Sequence, residues 1–566
     1  MIDQTSRRGF MLGSAAGVAG AALASRGFAQ GLAPDFVVVN ARVWTVDAAR
    51  PRAEAFAVAR SRFLAVGSNE DIRALASGRT PVLDAQGATV VPGFIDCHNH
   101  ASGERLLYDV LVGNPYEVEF VTIDNIVDKL KARAATTAAG HWVEGFFFDD
   151  TKVKDGRMLD VHDLDRVSST HPVMVEHRGG HTSFYNSVAL RMAGLTENTP
   201  NTPGGTYDKG QDGRLNGRVT DRARVVFEKV GARASLSPEE KARRERDGMA
   251  HISKMFVRYG LTGVCHQGGP LHAIEDIRAN GRLLHRVSYE AYDVELEAMI
   301  RAGMTTGLGD EWIKLGATAE HTADGSFSER TMALSRPFPG RTDGYKGNVT
   351  ETQGDLDAWA LRVHQAGIQL NCHANGDVAI DHVLTAYERA QAVFPRKDPR
   401  FKITHCSLVT PELLARIKAL GVTPALFSTY AYYNGDKFHF YGEDLMRHMM
   451  PYRDMIDAGV PVCAGSDFDP GPFSPLMALQ AMVTRTGWNG ETWGGNQKIS
   501  VDEALKVHTL NGAYDTFEDH LKGSITPGKL ADYVMLAEDP HVVDPAKLKD
   551  IKILRTVVGG ESRYQG

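Results

Sequence analysis

Eight short apolar runs, separated by longer stretches with helical spacing, constrain this chain more than any other feature of its sequence. They are Thr89–Cys97, Leu261–Cys265, Arg286–Glu290, Trp312–Leu315, Ile368–Cys372, Phe401–His405, Val422–Phe427 and Val460–Ser466. Runs this short, alternating with helical patterns, argue for parallel β/α units. Eight units are the number that closes a (β/α)8 TIM barrel, where chemistry sits at the C-terminal ends of the strands. The expected fold class is thus α/β, with the barrel over residues 89–514.

Both chain ends read differently. Asp35 to Val46 and Ala55 to Val66 favour β-structure, and so do Gly523 to Leu536 and Ile551 to Val558. Neither end alone has enough strands to bury a face, so the two are expected to assemble one small β-sandwich domain from residues 30–88 and 515–566. Between the first and second barrel runs, residues 101–255 far exceed a loop and a helix. They are read as an insertion, and as the candidate for substrate recognition.

The chain has 566 residues, 43% hydrophobic and 23% charged, with a formal charge of −7. That balance excludes disorder and offers no basic footprint for nucleic acid. The basic stretch Lys241 to Arg246 is interleaved with Glu239, Glu240, Glu245 and Asp247, as on a solvated helix face. Residues 1–29 look like a twin-arginine export signal: Arg7 and Arg8, then an apolar, Gly/Ala-rich run from Phe10 to Ala24, too short to span a bilayer. The expectation is a periplasmic or secreted protein that engages the twin-arginine export machinery. No other segment approaches membrane-spanning length; self-association is left open. Five cysteines, an odd number without close pairs, are expected as buried small hydrophobes rather than a disulfide framework.

The first run ends Asp96-Cys97-His98-Asn99-His100. Side chains alternate across a strand, so His98 and His100 face the same way, which suits one divalent ion. In a chain with 21 histidines the pair alone is a weak signal. The other runs add Lys314 on the fourth, His373 at the end of the fifth, His405 at the end of the sixth and Asp467 at the end of the eighth.

With these residues in order, the sequence resembles the amidohydrolase superfamily, most closely the YtcJ-like branch of amidohydrolase-3 domains that includes N-substituted formamide deformylases. The motifs are Val91-Pro-Gly-Phe-Ile-Asp-Cys-His98-Asn-His100, His373-Ala-Asn-Gly-Asp377, Ile403-Thr-His405, Gly465-Ser-Asp467 and Gly523-Ser-Ile-Thr-Pro-Gly-Lys-Leu-Ala-Asp532. The resemblance implies one or two metal ions, Zn²⁺ or else Mn²⁺ or Fe²⁺, held by His98, His100, His373, His405 and Asp467, with Lys314 as a CO₂-derived carbamate. An ammonium is no ligand, so Lys314 joins only in that form. Asp467 is also expected to take and return the proton of the attacking water. One departure stands out. The Asp324-Gly325-Ser326 motif follows Lys314 by ten residues instead of a few, and the extra loop carries Glu320 and His321, either as a ligand or substrate contact or merely solvated.

Within the insertion, Glu176-His177-Arg178-Gly-Gly-His181 resembles the family segment that overlies the metals. His181 is expected to stabilise an oxyanion and Arg178 to hold an anionic substrate group, with Trp142 and Phe146–Phe148 as an apolar wall and His321 as a further substrate contact. The implied activity on a small-molecule substrate is hydrolysis of a C–N bond in an amide, N-substituted formamide or cyclic amide by metal-activated water. The alternatives are ester or lactone hydrolysis by the same centre, or a non-catalytic exported regulator or binding protein on this scaffold.

Overall fold

The computed structural model describes residues 32–101 and 103–566. The export signal expected at 1–29 lies outside them. Eight parallel strands run in chain order around one ring: Phe94–Asn99, Leu261–Gln267, Arg286–Ala291, Ile313–Thr318, Asn371–Ala374, Lys402–His405, Thr423–Phe427 and Cys463–Gly465. The first four pair as one sheet; the last four pair as another, which also takes in the short strand His321–Thr322. Parallel bridges Ala317↔Gln369 and Asn99↔Phe468 join the two sheets at both seams. Helices cover the outside, and their apolar faces meet the strands in the largest core, which includes Phe256, Val287, Val363, Ile403 and Leu479.

The first apolar run divides at Gly93. Thr89–Pro92 belongs to a different sheet and only Phe94–Asn99 enters the ring. A Cβ at Gly93 would lie 2.1 Å from the Thr262 hydroxyl, so the chain passes from one sheet to the other only without a side chain there. The boundary expected at residue 89 therefore moves to Gly93.

Both chain ends build a two-sheet unit. One sheet has four strands in the order Arg62–Gly67, Ala55–Ala59, Phe36–Val39, Val82–Asp84. The other has six: Glu561–Gln565, Ile553–Val558, Tyr533–Leu536, Thr89–Pro92, Arg42–Trp44, Arg52–Ala53. Val38, Phe56, Phe63, Val90, Tyr533 and Val557 share one core. The Asp532 carboxylate accepts from Arg286 Nε at 2.7 Å and Nη2 at 3.0 Å, a buried bidentate pair that ties this unit to the third ring strand. Residues 515–522 stay with the ring: the Thr516 carbonyl and Glu518 carboxylate meet Lys314 at its N-terminal end.

The insertion has its own six-stranded sheet, in the order Tyr207–Lys209, Leu215–Thr220, Thr182–Tyr185, Val173–His177, Val143–Phe148, Val110–Leu111. It ends earlier than expected. Pro238–Arg258 is a helix whose Met249, Ile252 and Phe256 pack into the ring's core, so it is the connection to the second strand. All five cysteines are buried and free. Among the described residues no helix is long and apolar enough to cross a membrane.

The ring interior holds charge as well as hydrocarbon. Lys402, fully buried, donates to the Cys97 carbonyl at 2.6 Å and to Glu290 at 2.7 Å, with Asp515 at 3.4 Å. Removing one partner of such a group strands the others in low dielectric. Lys402→Ala is expected to lower the free energy of unfolding by about 3–5 kcal/mol. Arg62→Ala, which breaks a half-exposed pair with Glu311, should change it by about 0–1 kcal/mol. Urea midpoints of the two variants measured side by side check both values.

Candidate active site

The C-terminal ends of the first and eighth strands are held together by one buried carboxylate. Asp96 Oδ1 accepts from the backbone N–H of His98 at 3.2 Å and of Ser466 at 2.9 Å; Oδ2 accepts from Asn99 Nδ2 at 3.0 Å and Ser466 Oγ at 2.6 Å. Gly465 lets the strands close, since a Cβ there would lie 2.8 Å from that of His98. Asp467 Oδ1 thereby comes to 3.0 Å from His98 Nε2 and 3.2 Å from His100 Nε2. Across the ring, His405 Nε2 lies 3.1 Å from His373 Nδ1. The aspartate and all four histidines expected from the sequence meet in one place.

Lys314 does not join them. The fourth strand continues past Leu315, where the apolar run ended, to Thr318, which leaves Lys314 as its second residue and near the N-terminal end of the ring. Its ammonium donates to the Thr516 carbonyl and lies 3.6 Å from Glu518. The carboxylate among the histidines is that of Glu320. After Thr318 the chain turns inward, and the short strand His321–Thr322 pairs with Cys372–His373 between the fourth and fifth ring strands. Glu320 faces the ring axis, with Oε1 3.5 Å from His100 Nε2 and Oε2 3.4 Å from His373 Nδ1 and 3.5 Å from both His98 Nε2 and His405 Nε2. His321, the next residue, points the other way. Its ring stacks on Trp359 and Nε2 lies 2.7 Å from Glu351, so it is no substrate contact.

The displaced Asp-Gly-Ser motif orients His373. Asp324 is buried and accepts from the backbone N–H groups of Ala333, Asn375 and Gly376. His373 Nε2 lies 3.2 Å from the Gly325 carbonyl, which turns Nδ1 toward Glu320. Burial pushes the Asp324 carboxyl up to about 6 against the opposing pull of His373 and those N–H groups.

The insertion roofs a cavity of 490 Å³ that has His100, Glu320, His373, His405 and Asp467 on its floor. His181 lines it, a fifth exposed, with Nδ1 2.9 Å from Asp221 Oδ1, and Asn348 donates to the other oxygen at 2.6 Å. No local motif marks Asp221; the strand pairing Thr182↔Thr220 carries it beside His181. Arg178 borders the cavity too, but its guanidinium is spent on protein. It donates to the carbonyls of Asp469, Asn114 and Pro115 and to the Tyr433 hydroxyl. Three other arginines, Arg105, Arg222 and Arg224, line the same cavity. Trp142 is buried against Tyr185 and Phe227, and its indole N–H donates to the Val230 carbonyl at 2.7 Å, so it belongs to the insertion's core. Phe147 and Phe148 are likewise buried in cores.

Electrostatics are concentrated on the floor. Burial favours neutral carboxyls, but the surrounding imidazoles overrule it and hold both Asp467 and Glu320 well below the usual carboxylate range. Conversely, burial lowers His100 and His373, yet Asp467 and Glu320 raise the first, and Glu320 and Asp324 the second, to about 9 each. Burial and the neighbouring His373 take His405 down to about 4. Imidazole and carboxylate donors are a proper set for Zn²⁺, Mn²⁺ or Fe²⁺. The fit is supported by Glu320 Oε2, which is buried without a hydrogen-bond partner although imidazoles surround it.

A family model described as the amidohydrolase family matches residues 81–564. The chain is similar to the N-substituted formamide deformylase of Arthrobacter pascens, 28% identical over 551 residues that cover 94% of this chain and 98% of that protein. It is 27% identical to the putative amidohydrolase YtcJ of Bacillus subtilis, over 92% of this chain and 98% of that one. In fold it is similar to an uncharacterised metal-dependent hydrolase from Pyrococcus horikoshii, with a TM-score of 0.69 at 20% identity over 90% of this chain and 98% of the other.

If Arg178 is a clamp, Arg178→Ala should lower the free energy of unfolding by about 2–4 kcal/mol through the unpaired carbonyls it leaves. Lysine should not restore it, lacking the planar fork. Denaturation midpoints test this, and KM for an anionic relative to a neutral substrate should stay constant.

Proposed function

The chain belongs to the amidohydrolase family, and from that premise we propose that it is a metal-dependent hydrolase of the C–N bond in an amide, N-substituted formamide or cyclic amide. The observation that carries this reading is the convergence of His100, His373, His405, Asp467 and Glu320 on the floor of one cavity, with His98 buried against them. We read the strand ring as a (β/α)8 barrel and the two-sheet unit as a β-sandwich domain. These residues would hold a divalent metal, which when bound would supply water with its pKa lowered to ~7 and polarise the scissile carbonyl.

Asp467 leaves Oδ2 to the Tyr430 hydroxyl at 3.2 Å while Oδ1 faces His98 and His100. Held this way, it accepts the proton of the attacking water and returns it to the departing nitrogen. His181 overlooks the same floor. The Asp221 carboxylate holds its Nδ1 edge and leaves the other ring edge to the cavity, placed to meet the charge that develops on the carbonyl oxygen. Arg105 and Arg224 share Glu176, at 3.1 and 3.7 Å. Their place in the cavity lining supports a polar or anionic substituent on the substrate.

Removing metal with a chelator should abolish hydrolysis of a responsive substrate among N-acyl amines, formamides, hydantoins and lactones, and Zn²⁺ or Mn²⁺ should restore it. Full activity in metal-free protein would overturn the reading. Asp467→Asn should lower kcat by about 10²–10⁴-fold with the fold retained. His181→Ala should lower it by about 10²–10³-fold with little metal loss, and Asp221→Asn should follow in the same direction. Steady-state kinetics with metal analysis on the same samples separates these effects.

Arg7-Arg8 and the apolar run behind them support export by the twin-arginine route to the periplasm or beyond. Replacing both arginines with lysine should retain the protein in the cytoplasm, as read by fractionation.

A further inference from the structure

Glu320 stands where two groups of ligands meet. His98, His100 and Asp467 converge on one side, with Asp467 Oδ1 3.0 and 3.2 Å from the two imidazoles. His373 and His405 form the other, 3.1 Å apart. Glu320 reaches both: Oε1 lies 3.5 Å from His100, and Oε2 lies between the groups, 3.5 Å from His98 on one side and 3.4 and 3.5 Å from His373 and His405 on the other. Its distances to the imidazoles, 3.4–3.5 Å, are too long for good hydrogen bonds. They do match donors that share an ion, since two ligands each about 2.0–2.2 Å from a tetrahedral metal lie about 3.3–3.6 Å apart.

We propose that Glu320 is the carboxylate shared by two metal subsites, so that the centre assembles without CO₂ and without modification of Lys314. This inference rests on the metal-dependent reading above and specifies how that site is built.

Lys314 argues for it from the opposite side. It is the second residue of its strand, four positions before Thr318, and a strand advances about 3.3 Å per residue, so its Cα lies roughly 13 Å below the strand end. Its amine is committed to the Thr516 carbonyl, and a carbamate formed there would set a second negative charge beside Glu518. Glu518 is also held by Lys522 at 2.6 Å, which fixes the carboxylate in that position. The extra residues between Lys314 and Asp324 therefore do chemical service. They carry the chain inward after Thr318 and deliver a preformed carboxylate to the floor, while Glu320 N–H donates to Gln267 Oε1 at 2.7 Å and anchors the turn.

The test is metal stoichiometry in the full chain, stripped with chelator and reloaded with Zn²⁺ in CO₂-depleted buffer or in buffer containing ¹³C-bicarbonate. Two equivalents by elemental analysis in both buffers, with no carbamate signal by ¹³C NMR, are expected. Glu320→Gln, folded by circular dichroism, should hold one equivalent or fewer. A second equivalent that appears only with bicarbonate, together with a carbamate signal, would overturn the proposal. So would one equivalent in both buffers, or two retained by Glu320→Gln. No metal under either condition would sink the hydrolase reading itself, and this inference with it, which distinguishes the two failures.

Discussion

The Asp96 carboxylate is the contact on which the rest of the site depends. Four donors from the first and eighth strands end on its two oxygens, and it is almost completely buried. In low dielectric such a carboxylate is stable only when its lone pairs are filled, so the seam closes in the register that fills them. That register brings Asp467 within 3.2 Å of His98 and His100, although hundreds of residues separate them in the chain. The backbone is bent to achieve it. Asp467 and His405 adopt φ of +54° and +69°, a left-handed conformation that costs non-glycine residues about 1–3 kcal/mol each. Strain of this kind persists where surrounding contacts over-determine the geometry, as the Asp96 clamp and the His405–Phe427 stack, 4.2 Å between centroids, do here.

Charge inside the ring is sorted by height. Lys402 sits among Glu290, Asp515 and the Cys97 carbonyl; Lys314 faces Glu518 and the Thr516 carbonyl. Each ammonium there is answered by carboxylate and carbonyl oxygens. The upper floor differs, since two carboxylates face four imidazoles and neither lysine reaches them. A divalent cation satisfies that donor set in a way protons alone do not, because every imidazole then turns a lone pair toward the centre. The group Asp149, Asp150 and His177 has metal-ligand composition but the opposite solution. Lys152 and Lys437 lie 3.0 and 2.9 Å from Asp149, and Arg330 lies 2.5 Å from Asp150, so side-chain cations already occupy the positions an ion would take.

In the insertion, burial separates structural from functional polar groups. Arg178 spends its donors on carbonyls of three residues and one hydroxyl, which locks the Asn114–Pro115 loop to Asp469 beyond the eighth strand. His181, two glycines further on, keeps one ring nitrogen for Asp221 and faces the cavity with its other edge. The segment thus serves as both hinge pin and wall.

The sequence by itself determined the ring. Short apolar runs alternating with helical spacing can bury both faces of a parallel strand in few ways, and local periodicity is visible residue by residue. It also determined the facing of His98 and His100, because alternation along one strand is a local property, and the placement of His373, His405 and Asp467 at strand ends. Tertiary structure decided what depended on where a strand stops. Lys314 stands next to last in an apolar run that ends at Leu315, but hydrogen bonding carries the strand on through Gly316, Ala317 and Thr318 and leaves the lysine near its bottom. Of the loop neighbours, the sequence favours His321 as the substrate contact; the Thr322–His373 pairing instead turns Glu320 inward and His321 outward. Asp221 and Asp96 gained their roles from partners distant in the chain, which no local pattern records. Arg178 shows the same limit: a guanidinium beside a cavity reads as an anion contact until the carbonyls that consume its donors are brought to it by the fold.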